Sequence, residues 1–141
     1  MLSELLQERT TVARIVHEVE TSAGRAQVSE VLLDPAPLRA LVDDLGLEVA
    51  QVFVQRFVHQ LPFRVDQLRL AVRAGDAERE YDAAHSLASA SSMVGARALS
   101  WIALDWATAA VTGRRTPGLA GLVRLRRVAS ETLAILGGDP S

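Results

Sequence analysis

The 141-residue chain contains no cysteine. That removes disulfides, thiolate catalysis and cysteine-based metal sites together, and it is compatible with a reducing cytosol. Lysine is missing as well, so all fifteen basic residues are arginine. Aromatic residues make up only 4% of the chain, and with alanine and leucine abundant this favours helices over strands. No apolar run approaches the roughly 20 residues that span a bilayer. Met1-Leu2-Ser3-Glu4 opens the chain without the basic start and apolar stretch of a signal peptide. The expectation is a soluble, cytoplasmic protein with no membrane partner. Strong charge is also lacking: the formal net charge is −2, which argues against nonspecific nucleic-acid binding. Arg124, Arg126 and Arg127 cluster, but such a run reads as one solvated helix face.

What is present is a chain of one-domain length, 49% hydrophobic and able to bury a core. Leu2, Leu5, Leu6, Val12, Ile15, Val16 and Val19 recur at helical spacing and predict an amphipathic helix over 2–20. Residues 21–30 read as a break, so residues 1–30 form a separate helix and linker. Asp34-Pro35 reads as a helix start, because aspartate caps free amides and proline suits a first turn. That short helix should end near Gly46. A long helix is predicted over 47–73, carrying Val49, Val52, Phe53, Phe57, Leu61, Val65, Leu68 and Val72 as its inner stripe, with a bend at Pro62. Ala74-Gly75-Asp76 supplies a stop and a new cap. Further helices are predicted over 76–94, 97–112 and 119–136, leaving 137–141 as a flexible tail. Together these predict an all-α antiparallel bundle with short connections, preceded by an N-terminal amphipathic helix.

The helix over 76–94 carries the one constellation that suggests chemistry. At about 100° per residue, Glu78, Tyr81, Ala88, Ser89 and Ser92 fall on the side of His85. Leu87, Val94, Ala83, Ala90 and Ser91 fall opposite. Leu87 and Val94 mark the core side, so the imidazole should point outward amid small neighbours, Tyr81 excepted. A flat surface around an exposed imidazole suits close approach by another protein. The bland alternative is an ordinary surface histidine.

The run His85-Ser86-Leu87, with Ser91 after it and Gly95-Ala96 ten residues on, resembles the histidine-containing phosphotransfer (HPt) family of two-component phosphorelays. That family shows His-x-Leu-Lys-Gly-Ser-Ser-x-x-x-Gly-Ala on the second long helix of a four-helix bundle, so the resemblance implies an all-α, antiparallel four-helix bundle over 31–136 with an additional N-terminal amphipathic helix. Leu33-Asp34-Pro35 is similar to its usual opening, and Ala74-Gly75-Asp76 to its usual turn. The resemblance implies that His85 is the phosphoacceptor and that Tyr81, Ala88, Ser89 and Ser92 form the partner-docking face. It implies a response-regulator receiver domain or a histidine kinase as partner, and no cofactor of the chain's own, with magnesium expected in the partner receiver. Four positions depart from the pattern: Ala88 replaces the charge-compensating lysine, Ser89 replaces the following glycine, Ala107 replaces an acidic or amide residue, and Glu80 stands where an apolar residue is common. Arg97, or an arginine from a neighbouring helix, is a candidate substitute for the missing positive charge.

Two functions from different classes follow. One is a phosphorelay intermediate, in which histidine serves as a nucleophile near neutral pH. The other is a transfer-impaired, HPt-like adaptor that binds a receiver or self-associates. The second draws on Trp101 and Leu104, which fall off the predicted core stripe of Leu99, Ile102, Ala103, Trp106 and Ala110 and call for a cover or a partner. Asp82 and His85 also make an i,i+3 carboxylate–histidine pair of the kind used in bundle metal sites, but no second copy exists in the chain. His17 and His59 have no partner pattern and read as structural.

Overall fold

The computed structural model describes residues 12–13 and 32–137. Every regular element among them is a helix: α1 (Ala36–Leu45), α2 (Leu47–Ala74), α3 (Ala77–Met93), α4 (Arg97–Val111) and α5 (Gly118–Ile135). Helices α2 to α5 form the bundle, joined by short connections, and α1 packs against α2 and α3. Of the N-terminal helix expected over 2–20, only Val12 and Ala13 are described; both are helical, and Val12 is fully buried in the core. The rest of that helix, the linker over 21–30 and residues 138–141 lie outside the described residues.

The boundaries follow from local chemistry. At the start of α1, the Asp34 carboxylate accepts the Ala36 amide at 3.0 Å, and Pro35 holds the φ of −75° that helix entry requires. Helix α2 runs unbroken through Pro62. The proline removes one backbone donor, and its ring sits on the solvent side. Gly75 ends α2 with a left-handed φ of 64°, so that its own amide reaches the Val72 carbonyl and the Asp76 amide reaches that of Ala71, at 3.1 and 3.2 Å. One residue later the Asp76 carboxylate accepts the Arg79 amide at 3.1 Å and caps α3. A stop and a start thus occupy two residues, and α2 and α3 fold back on each other about Gly75.

The buried stripe of α2 is Ala50, Val54, Phe57, Leu61, Val65 and Leu68, at spacings of three and four. This corrects the expected stripe at its first turns, where Val49 and Val52 are exposed. Counting back from Leu61 by four, seven and eleven gives Phe57, Val54 and Ala50. Register with the centre of the bundle therefore outweighs residue size at the helix start. Helices α3 and α4 are the most closely associated pair. Ala84, Ala88 and Ser91 on α3 and Ala103 and Ala107 on α4 are all buried, and small side chains of this kind let two helix axes approach. Trp106, fully buried, fills the space between α4 and α5. Gly121 makes room for it: a Cβ there would lie 3.0 Å from the indole and 2.2 Å from Pro117.

Candidate functional site

Helix α3 presents His85 to solvent. Leu87 and Val94 are buried on the opposite side, which fixes the rotation of the helix and the outward aim of the imidazole. The Tyr81 ring, one turn earlier and half-buried, stacks on His85 with centroids 5.5 Å apart and planes inclined by 27°. Tyr81 is itself held by packing against the core. Ser89 and Ser92 are exposed beside the imidazole. Ala88 is not: it belongs to the core and is only 6% exposed. Its expected place on the docking face is corrected, because α4 packs closely along that flank of α3 and takes the methyl group into the interface. Ala107 is buried in the same interface. The two alanines that replace polar or charged family residues thus occupy core positions, and neither carries a group that could reach the imidazole.

Arg97 does not serve His85 either. Its guanidinium pairs with the Asp34 carboxylate at 3.0 Å and lies 5.8 Å from the centroid of the Trp101 ring. Asp34 is bound there a second time, its amide donating to the Gly95 carbonyl at 2.6 Å. Gly95 has a φ of 76°, and a Cβ on it would come within 1.9 Å of the Asp34 carbonyl oxygen. Asp34-Pro35, Gly95-Ala96 and Arg97 therefore form one structural knot that clamps the start of α1 to the end of α3. It is about three helical turns from His85.

A residue that sequence reasoning did not single out lies nearer. Arg64 on α2 donates from Nη1 to Ser86 Oγ, the side chain next to His85, and from Nη2 to Gln60 Oε1 at 2.8 Å. Its Nε is buried without a partner. Arg64, Arg79, Asp82, Ser86, Gln67 and the exposed Phe63 line a cleft between α2 and α3. The signal was available in principle. In an antiparallel hairpin about Gly75, residues equidistant from the turn are neighbours, and Arg64 and Ser86 each stand eleven positions from it.

Glu80, the other departure, is buried and functions as a structural acceptor. Its Oε1 accepts hydrogen bonds from Trp106 Nε1 at 3.0 Å and from the Thr116 hydroxyl at 2.9 Å. No group of three or more metal-ligating side chains occurs among the described residues, so Asp82 and His85 have no further ligands there. His59 is exposed on α2, and His17 lies outside the described residues. Among the described residues, no helix is long and apolar enough to cross a membrane.

The family model of the Hpt domain matches residues 52–134. That stretch holds most of α2, all of α3 and α4, and nearly all of α5. The chain belongs to the Hpt domain family. Searches of curated proteins and of solved structures each returned no match. Membership places this Hpt domain in histidine phosphotransfer of two-component signalling, where such domains work with receiver domains and kinases. The match begins after the Asp34-Pro35 opening, which contacts the matched stretch through Gly95 and Arg97.

Proposed function

We propose that this Hpt domain is a phosphorelay intermediate of the cytoplasm and that His85 is its phosphoacceptor. The observation that carries the reading is the exposed imidazole on α3, stacked on Tyr81 and backed by the buried Leu87 and Val94. In the transfer, the lone pair of one imidazole nitrogen forms the N–P bond as the P–O bond to a receiver aspartate breaks. The bonding electrons leave with the aspartate carboxylate, and the proton on the second ring nitrogen stays in place. The reverse step passes the group to the next receiver. Magnesium and the acidic cluster that binds it belong to the receiver, so the domain itself contributes position and shape. Tyr81, Ser89 and Ser92 form the surface on which a receiver docks.

The test is incubation with phosphoramidate followed by acid and base treatment. The reading expects an acid-labile, base-stable phosphate on the wild type and none on His85→Gln. An unlabelled wild type, or equal labelling of the variant, contradicts it.

A second reading has its own observation. Trp101 and Leu104 are 59% and 52% exposed on the outer face of α4, the kind of surface that binds a partner or a second copy of the chain. A receiver that binds without exchanging phosphate would favour this adaptor role.

A further inference from the structure

We infer that Arg64, reaching across from α2, supplies the positive charge that a phosphoryl group on His85 requires; the inference rests on the reading of His85 as phosphoacceptor. A phosphorylated imidazole carries negative charge on three phosphoryl oxygens, and the transferring group spreads charge over the same atoms. No lysine exists in the chain to meet it, and the position three residues after His85 is filled by the buried Ala88. Three arginines on or next to α3 can be compared. Arg97 is held by Asp34 beyond the end of the helix. Arg79 lies six residues before His85, nearly two turns away. Arg64 alone is tied to the immediate neighbour of the histidine, through Ser86 Oγ.

The way Arg64 is held suits the task. Gln60 and Ser86 each accept one of its terminal N–H groups, and both acceptors are neutral, so the guanidinium charge is not cancelled by the side chains that orient it. Arginine has five N–H donors in a planar fork. Each terminal nitrogen makes one of these bonds and keeps a second N–H, so donors remain for a phosphoryl oxygen although the buried Nε is out of reach. The one carboxylate lining the cleft is Asp82, offset by Arg79, which lines it as well. Anchoring through neutral acceptors leaves the charge fixed in place before the phosphoryl group arrives, which is the condition under which such a charge is most effective.

The experiment compares wild type, Arg64→Gln, Arg64→Lys and His85→Gln as full chains. Each is treated with phosphoramidate, and the rate of phosphohistidine formation and its lifetime after removal of the reagent are recorded. Arg64→Gln should lower the formation rate, the lifetime or both by about tenfold, the size expected of one hydrogen bond to a charged group. Arg64→Lys, which keeps the charge but not the fork, should stay within about threefold of wild type. Wild-type behaviour of Arg64→Gln overturns the inference, and so do equal losses in the Gln and Lys variants. If Arg64→Gln loses its helical circular dichroism, Arg64→Met removes the charge while keeping the aliphatic stem, and the same outcomes apply. A wild type that takes no phosphoryl group overturns the His85 reading and the role of Arg64 with it. Labelling of wild type but not His85→Gln, with Arg64→Gln unimpaired, overturns the role of Arg64 alone.

Discussion

Tyr81 and His85 stack with ring centroids 5.5 Å apart and planes 27° from parallel. They are four residues apart on α3, so the contact is set by the helix itself. The imidazole is exposed, but one of its faces is covered, and its freedom to rotate is reduced. On the proposed reading of His85 as phosphoacceptor, a nucleophile that must meet phosphorus in line gains from this, because orientation is part of the barrier.

Tyr81→Ala should therefore slow phosphohistidine formation. The stack is worth about 1 kcal/mol, which corresponds to a loss of roughly fivefold. Tyr81→Phe keeps the ring and should react as wild type does. Rates with phosphoramidate for the two variants decide the matter, and a loss in Tyr81→Phe equal to that in Tyr81→Ala would point to the hydroxyl rather than the ring.

Glu80 joins three parts of the bundle through one oxygen, accepting from Trp106 on α4 and from Thr116 in the α4–α5 connection. Trp106 is fully buried, so its indole N–H has no water to turn to. Glu80→Leu should destabilise the domain by about 1–3 kcal/mol, the cost of stranding a buried donor. Glu80→Gln retains a carbonyl acceptor and should cost less. Urea denaturation followed by circular dichroism measures both, and a Leu variant as stable as wild type would show that the two hydrogen bonds contribute nothing net.

Gly95 is the position least able to carry a side chain. Its φ of 76° disfavours one, and a Cβ would meet the Asp34 carbonyl oxygen at 1.9 Å. Gly95→Ala should cost about 2–4 kcal/mol, combining left-handed backbone strain with overpacking. Asp34→Ala gives up a partly exposed ion pair and a cap and should cost about 1–2 kcal/mol. Thermal unfolding of the pair should rank them in that order, and a Gly95→Ala protein as stable as Asp34→Ala would mean that the knot can open without cost.

Ser91 is buried in the α3–α4 interface and its hydroxyl has no hydrogen-bond partner. Ser91→Ala removes an unsatisfied polar atom and improves helix propensity, so it should be neutral or stabilising by up to about 1 kcal/mol. A clear loss of stability in denaturant would show that the hydroxyl is satisfied in solution.

The helices and their ends were legible in the sequence because they rest on local signals. Gly75-Asp76 stops one helix and caps the next, and Leu87 and Val94 set the rotation of α3 through the period of the helix alone. The outward aim of His85 followed from that rotation. What could not be read was lateral packing. Ala88 was expected on the outer face because it lies near His85 around the helix, yet α4 approaches from that flank and buries it. The Val49 and Val52 error has the same source, since only the bundle decides which of several apolar residues at a helix start faces inward. Arg64 and Glu80 acquire their roles from partners 22 and 26 residues away. Such pairings arise from how the hairpins fold, not from any motif.

The most direct measurement is peptide mapping of the phosphoramidate-treated protein by mass spectrometry under conditions that preserve phosphohistidine. The chain has three histidines, His17, His59 and His85, so the site can be assigned by peptide. The account predicts one phosphoryl group on the peptide that contains His85 and its loss in His85→Gln. An unmodified wild-type protein, or a phosphoryl group confined to His17 or His59, would contradict it.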